Sequence, residues 1–210
     1  MEEGSKYRTD QEQFWAGTFG DDYIGRNNGD SLLASNLSFF QSAMRSARNI
    51  QSCIEFGANI GMNLRAINLL LPESDLFAIE INATAASQLK ELIPSNNVYH
   101  ESILDFEPQR SWDLVLIKGV LIHINPDELP VVYDKLVRSS QRYLLVAEYY
   151  NPVPVAVSYR GHSDRLFKRD FAGEILDSHP QFQLVDYGFK YRRDPNFPQD
   201  DINWFLMERS

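Results

Sequence analysis

Glu55-Phe56-Gly57-Ala58-Asn59-Ile60-Gly61 is the most informative stretch of the chain, because it sets an acid and two glycines between a hydrophobic strand pattern and an amphipathic helix pattern. Gly57 permits a tight strand-to-helix turn, and Gly61 lets the helix backbone approach a ligand that a Cβ would exclude. The N–H groups at the helix start then face that ligand. The stretch predicts a nucleotide-binding loop, with a plain turn as the alternative, since short glycine patterns also arise by chance.

A second acid favours the nucleotide interpretation. The apolar residues 76–79 end in Glu80, nineteen positions after Gly61. An acid at this point of a strand–helix–strand unit accepts hydrogen bonds from the two hydroxyls of a ribose. The nicotinamide fingerprint Gly-x-Gly-x-x-Gly is not met, because Glu55 stands two positions before Gly57 and Asn59 is not a glycine. An S-adenosylmethionine site fits better.

The composition is typical of one folded, enzyme-sized unit. The 210 residues are 43% hydrophobic and 23% charged, which allows a substantial core. The net charge of -9 argues against DNA or RNA as the main partner. Basic residues in the last third could hold a carboxylate or phosphate of a small substrate, or form a solvated face: Arg160, Arg165, Lys168, Arg169, Lys190, Arg192 and Arg193.

Cysteine and histidine usage predicts no disulfide and no metal. Cys53 is the single cysteine and stands in an apolar run, which indicates a buried strand thiol. The histidines at 100, 123, 162 and 179 show no i,i+4 pairing.

The chain does not open on a basic segment followed by an apolar one, and no apolar run is long enough to span a bilayer, so we expect a cytoplasmic protein without a membrane partner. The oligomeric state stays open.

The element pattern predicts an α/β fold, Rossmann-like and doubly wound, with a mostly parallel sheet covered by helices. Asp30 or Ser31 is expected to cap a helix whose apolar residues run from Leu32 to Ala47, after a loop containing the glycines at 17, 20, 25 and 29. Strands are then predicted at 50–56, 75–80, 97–100, 112–117, 142–149, 182–187 and 202–208, with helices at 60–71, 82–93, 126–140 and 168–178. We expect a helical extension over residues 1–48 and one globular domain over 49–210.

Such sheets bind ligands beyond the carboxyl ends of their strands. The residues predicted at that edge are Gly57, Glu80, Ser102, Lys118 and Glu148.

This layout resembles the class I S-adenosylmethionine-dependent methyltransferases. The resemblance implies a seven-stranded sheet with an antiparallel last strand, and S-adenosylmethionine as the cofactor. It implies that the methionine part lies at Glu55, Gly57, Asn59 and Gly61, that Glu80 holds the ribose, and that residues 102–105, including Ile103, edge the adenine. Ser102 stands where the family usually has an adenine-contacting acid, so either Ser102 or Asp105 could take that role. Lys118 ends the fourth strand and completes the implied cofactor site.

A narrower resemblance is to the pseudaminic acid biosynthesis-associated methylases. It is carried by residues 14–17, 57–65, 118–126, 149–152, 160–173 and 193–198, which span almost the full length. The resemblance implies methylation of a small sugar-type acceptor in nonulosonic acid or surface polysaccharide biosynthesis. It leaves the acceptor atom, and whether the sugar is nucleotide-activated, undecided.

A hydroxyl acceptor must lose a proton, which requires a base. His123 is the first candidate because it follows the fourth strand by one short turn, although it could instead face the core. Glu148, at the end of the next strand, could orient that base, contact the acceptor or act as a simple cap. His162 is an alternative base.

The segment after Glu148 must leave the sheet, because prolines 152 and 154 cannot continue a strand. The residues that follow combine aromatic and basic side chains, which suits a cover over a charged sugar, with an ordinary surface loop as the alternative. Candidate substrate-binding residues are Tyr149, Tyr159, Arg160 and Arg165.

Other parts of the chain carry smaller expectations. Phe14 and Trp15 are expected to pack on the core, Tyr23 and Arg26 could close over the cofactor, and Asp170 is expected to start a helix. Two rival functions remain, namely a nicotinamide-dependent sugar oxidoreductase on a similar sheet and a non-catalytic protein that binds the cofactor or a pathway partner.

Overall fold

The computed structural model describes residues 7–25, 29–159, 161 and 165–210. Within these ranges the chain forms strands β1 (Ser52–Phe56), β2 (Asp75–Ile79), β3 (Val98–Tyr99), β4 (Trp112–Lys118), β5 (Ser140–Glu148), β6 (Val155–Ala156), β7 (Phe167–Lys168), β8 (Phe182–Lys190) and β9 (Ile202–Arg209). It also forms helices α1 (Asp10–Ala16), α2 (Thr18–Ile24), α3 (Asp30–Ala43), α4 (Met62–Leu70), α5 (Ala83–Leu92), α6 (Leu129–Ser139) and α7 (Phe171–Ser178).

Seven strands form one sheet in the order β3-β2-β1-β4-β5-β9-β8. The pairings among β1 to β5 are parallel, whereas β9 runs antiparallel to both β5 and β8. The last strand therefore inserts between β5 and β8. The predicted seven-stranded, mostly parallel sheet with an antiparallel last strand is confirmed.

The sheet carries an apolar core on both faces. In β4, Val115 and Ile117 pack into a cluster that α6 and α7 cover, while Leu114 and Leu116 point to the opposite cluster, which α3, α4 and α5 cover. Such two-sided burial explains why these strands are continuous apolar runs in the sequence. Cys53 is fully buried in β1, and burial raises the pKa of its thiol, so the predicted strand thiol is confirmed.

The main departures from the predicted elements lie at helix starts. Gly29, with φ 105°, precedes α3 and no side chain caps that helix, so the predicted capping by Asp30 or Ser31 is wrong. The predicted glycine loop is partly helical, because α1 and α2 lie there. The helix predicted from 168 begins at Phe171, since residue 168 belongs to the β6–β7 pair, and Asp170 caps it as expected by accepting a hydrogen bond from the Gly173 N–H at 2.8 Å.

Within the described residues, no helix has the length and apolar character needed to cross a membrane.

Candidate functional site

A cavity of about 260 Å³ opens at the carboxyl edge of the sheet. Its wall includes one residue at or just beyond the end of each of β1 to β5, namely Gly57, Glu80, Ser102, Lys118 and Tyr149. Glu148 is not among the described lining residues. The other wall comes from α1 and α2, with Glu12, Trp15 and Tyr23. The structure thus brings four of the five residues predicted at this edge around one cavity.

The two glycines of the loop after β1 have different tasks. Gly57 lines the cavity with φ 76°, and a Cβ there would come within 2.7 Å of Val120 Cγ2. A Cβ on Gly61, at φ 80°, would instead meet Leu92 Cδ2 at 2.6 Å. The absence of a Cβ on Gly61 therefore makes room for leucine side chains of α5 at the start of α4. Gly61 is not among the described lining residues, and its expected approach to a ligand stays a prediction.

Glu80 joins the two loops that follow β1 and β2. Its Oε2 accepts a hydrogen bond from the Asn59 N–H at 2.7 Å, and its Oε1 accepts one from the Asn82 N–H at 2.7 Å. Burial raises the pKa of this carboxyl, while the backbone donors act in the opposite direction. A carboxylate offers about two acceptor sites per oxygen. Glu80 therefore keeps acceptor sites at the cavity wall, as holding a diol requires.

Glu55 lies behind the loop, fully buried. Its Oε1 accepts a hydrogen bond from Asn63 Nδ2 at 2.6 Å, and Asn63 in turn lines the cavity. Among the described residues, Oε2 has no partner. Burial raises the pKa of Glu55 to about 8, so the group is largely protonated at neutral pH. The geometry makes Glu55 a support for Asn63.

Lys118 brings a positive charge to the cavity, with its Nζ 5.4 Å from the centre of the Phe39 ring. Burial lowers the pKa of its ammonium group, and Glu55, Asp200 and Glu148 counteract that shift. Asp200 lies in the loop between β8 and β9 and also lines the cavity. Nothing in its local sequence marks it as a site residue.

Glu148 holds the turn after β4. Its Oε1 accepts hydrogen bonds from the N–H groups of Val120 and Leu121, both at 2.9 Å. Its Oε2 is buried without a partner among the described residues, and burial raises the pKa of the carboxyl to about 7. Val120 lines the cavity, so Glu148 acts on the site through the backbone of this turn.

His123 follows that turn and lines the cavity with 8% of its surface exposed. Its Nδ1 lies 2.6 Å from the carbonyl oxygen of Arg165. A carbonyl only accepts, so Nδ1 carries the proton and Nε2 keeps a lone pair. Burial lowers the pKa of His123 to about 4, with the Arg165 carbonyl acting against it. The ring is therefore neutral at physiological pH and able to take a proton at Nε2.

The turn after β3 meets helix α1. Ser102 Oγ donates a hydrogen bond to Glu12 Oε1 and accepts one from the Leu104 N–H at 3.0 Å. Ser102 and Ile103 both line the cavity. Asp105, the other adenine candidate, lies outside the described lining; its side chain is half-exposed and pairs with Arg8 at 3.1 Å.

Aromatic rings form the side of the cavity next to His123. The centroid of its ring lies 4.7 Å from that of Trp15 and 5.3 Å from that of Tyr159. Trp15, expected only in the core, lines the cavity together with Tyr23, Tyr149 and Tyr159. The Nε1 of Trp15 is buried and has no acceptor among the described residues.

The remaining candidates from the basic segment are less well placed. Arg165 is not among the described lining residues; its guanidinium carbon lies 5.7 Å from the centre of the Phe14 ring. Arg160, His162 and Arg26 lie outside the described residues.

Over the described ranges, no group of three or more His, Cys, Asp or Glu side chains could hold a metal ion.

Sequence reasoning missed several polar lining residues. Glu12 had a local signal, the capping box it forms with Thr9, but that signal marks only a helix start. Gln199 Nε2 donates a hydrogen bond to Asn36 Oδ1 at 2.9 Å, and both residues line the cavity. They are 163 positions apart in the chain, so only the fold brings them together.

No protein-family model and no curated protein sequence matches the chain. Solved structures do match it in fold. The magnesium protoporphyrin IX methyltransferase of Synechocystis, solved with bound S-adenosylmethionine, has a TM-score of 0.67 at 14% identity, covering 98% of this chain and 100% of that one. The 1,6-didemethyltoxoflavin-N1-methyltransferase of Burkholderia thailandensis has a TM-score of 0.69 at 12% identity, covering 95% and 87%.

The N-methyltransferase NodS of Bradyrhizobium japonicum, solved with S-adenosylhomocysteine, has a TM-score of 0.65 at 13% identity, covering 95% of this chain and 96% of that one. At these identities the likeness establishes the fold. The chain has the Rossmann-like fold that these methyltransferases share.

Proposed function

We propose that the protein is an S-adenosylmethionine-dependent methyltransferase that methylates a hydroxyl group of a small sugar-type acceptor. The observation that carries the proposal is His123, a buried neutral imidazole at the cavity wall whose Nδ1 proton is held by the Arg165 carbonyl. The shared fold with methyltransferases crystallised with S-adenosylmethionine or S-adenosylhomocysteine supports the choice of cofactor.

The residues present fit that cofactor. Glu80 offers two carboxylate oxygens for the ribose diol. The strand order supports a methionine end on the β1 and β4 side of Glu80 and an adenine end on the β3 side. In this arrangement the glycine loop after β1 and Lys118 at the end of β4 would hold the methionine end, where the ammonium of Lys118 suits a carboxylate. The turn of residues 102–104 after β3 lies on the adenine side.

Bound S-adenosylmethionine supplies a methyl group that its sulfonium already activates. The protein then has to align the acceptor, exclude water and remove one proton. In the proposed mechanism His123 Nε2 accepts the hydroxyl proton as the methyl group is transferred, and the Arg165 carbonyl stabilises the imidazolium that forms. Glu148 keeps the turn before His123 in place, as a positioning residue.

The lining supports a polyhydroxylated acceptor. Trp15, Tyr149 and Tyr159 provide ring faces for the apolar face of a sugar. Asn125 and Gln199 add amides that both donate and accept. The resemblance to the pseudaminic acid-associated methylases then favours a nonulosonic acid or surface polysaccharide pathway. Residues 1–48 would form a helical cap and residues 49–210 the cofactor-binding domain.

The test is product analysis with purified protein. S-adenosylmethionine is incubated with nonulosonic acids, their cytidylyl-activated forms and their amino-sugar precursors, and S-adenosylhomocysteine and methylated sugars are read by mass spectrometry. A methylated hydroxyl supports the proposal. Methylation of an amine alone would refute the hydroxyl acceptor. Tight binding of NAD without any of S-adenosylmethionine would support an oxidoreductase, and cofactor binding without turnover would support a binding module.

A further inference from the structure

Helix α1 brings a buried carboxyl group to the cavity. Glu12 is 6% exposed, lines the cavity and belongs to the first turn of α1. A buried acid is costly unless hydrogen bonds or a ligand compensate it. The described hydrogen bonds place its two oxygens differently, and this difference indicates which one faces a ligand.

One oxygen of Glu12 belongs to the helix start. Oε2 accepts hydrogen bonds from the Thr9 N–H at 2.9 Å and from Thr9 Oγ1 at 3.2 Å, which completes a capping box with the bond from the Glu12 N–H to Thr9 Oγ1. Two bonds fill the usual acceptor capacity of one carboxylate oxygen. Oε2 is therefore committed to α1.

The other oxygen faces the turn after β3. Oε1 accepts one described hydrogen bond, from Ser102 Oγ, and so keeps an acceptor site. Ser102, Ile103 and Leu104 form the adjoining cavity wall. Glu12 thus supplies an acid at a wall where the β3 turn itself offers only a hydroxyl.

The expected position of the ribose indicates which part of a bound nucleoside would lie next to Glu12. Glu80 follows β2, and β2 lies between β1 and β3 in the sheet. A nucleoside whose ribose is held at Glu80, and whose 5′ side points to the glycine loop after β1, extends its base towards the turn after β3. An adenine there presents its 6-amino group, a donor that matches a carboxylate oxygen.

We propose that Glu12 is the residue that recognises the adenine 6-amino group, through Oε1. The proposal rests on the proposed function only for the cofactor, and it makes helix α1 part of the cofactor site. Ser102 then positions Glu12 through its hydroxyl and need not contact the base. The specificity for adenine is thus carried by a residue some ninety positions from the turn it completes.

The experiment compares two ligands by calorimetry: S-adenosylhomocysteine and its 6-deamino analogue, in which hydrogen replaces the amino group. We expect the intact protein to bind the analogue roughly ten- to hundredfold more weakly, as loss of a charge-assisted hydrogen bond predicts. In Glu12→Gln the amide oxygen is needed by the Thr9 N–H, so the NH2 group faces the base and the preference should fall to within about threefold.

Thr9→Val is the matched control, because it loosens the capping box without changing the group that faces the base. Its preference for the amino ligand should equal that of the intact protein. An unchanged preference in Glu12→Gln, equal weakening of both ligands, or a loss in Thr9→Val as large as in Glu12→Gln would overturn the proposal. Should Glu12→Gln fail to fold, Glu12→Asp, which withdraws the carboxylate by one methylene, should lower the preference.

This design separates the two proposals. If the intact protein binds neither ligand, the cofactor assignment and the role of Glu12 both fail. If it binds both ligands equally, only the role of Glu12 fails.

Discussion

Replacing Glu80 by alanine tests the cofactor site most directly. The substitution removes the acceptor for two backbone N–H groups, those of Asn59 and Asn82, each bonded at 2.7 Å. Each orphaned donor costs about 1–3 kcal/mol, so we expect the free energy of unfolding to fall by about 2–6 kcal/mol for the two. Loss of the ribose hydrogen bonds should weaken cofactor binding by about 1–3 kcal/mol, or roughly 5- to 150-fold in Kd.

The two effects are measured separately. Calorimetric titration with S-adenosylhomocysteine gives Kd, and urea unfolding of the same preparation gives the free energy of unfolding. Glu91→Ala is the matched control, because Glu91 is an exposed acid on α5, and it should change the free energy of unfolding by no more than about 0.5 kcal/mol and leave Kd intact. An unchanged Kd in Glu80→Ala would show that the ribose lies elsewhere and would refute the assignment of the site.

Further predictions concern the base, its neighbours and the loop. His123→Ala should lower kcat by about 10²–10⁴-fold in a steady-state assay and leave Kd for the cofactor within about threefold in a calorimetric titration. His179→Ala, at the residue that follows α7 and outside the described lining, should leave both values unchanged. Burial lowers the pKa of His123 to about 4 in the folded protein, against 6.5 in the unfolded chain, so the unfolded state binds more protons between these pH values. His123 should therefore lower the free energy of unfolding by about 3 kcal/mol as the pH falls from 6.5 to 4. Urea titrations should show a smaller loss in His123→Ala. Glu148→Gln keeps an acceptor for the turn and should retain kcat within about tenfold, while Glu148→Ala should lose more; the reverse order would make Glu148 a catalytic acid or base. Gly61→Ala should destabilise the protein by about 1–3 kcal/mol more than Gly29→Ala in thermal or urea unfolding, since both have positive φ but only Gly61 is crowded by α5.

The central part of the sheet could be predicted from the sequence because strands such as β1 and β4 are buried on both sides. The run 114–117 is apolar at every position, and the glycine loop after β1 marks the boundary between strand and helix. The antiparallel last strand followed from the family resemblance and not from periodicity. The short pair β6–β7 was missed, since two-residue strands have no period to detect.

The candidate site was predictable only where its residues end strands. Glu80, Ser102 and Lys118 were placed at the sheet edge by topology alone, and they line the cavity. The sequence could not give the direction of a side chain. Glu148 ends a strand equally well, yet its carboxylate turns to the backbone N–H groups of the β4 turn.

The contact that orients the proposed base comes from the main chain and therefore leaves no mark in the sequence. The Arg165 carbonyl holds the His123 Nδ1 proton, and a backbone carbonyl is present whatever residue occupies position 165. Sequence reasoning searches for side chains, so it selected the guanidinium of Arg165 for the substrate and missed the main-chain oxygen. The tautomer of the proposed base depends on the path of the chain after β5, which brings Tyr159 to the cavity wall and the Arg165 carbonyl to the ring. Under the proposed function, positioning of the acceptor by Tyr159 and orientation of the base by the Arg165 carbonyl would therefore depend on the same part of the chain, and a change in its backbone path would affect both.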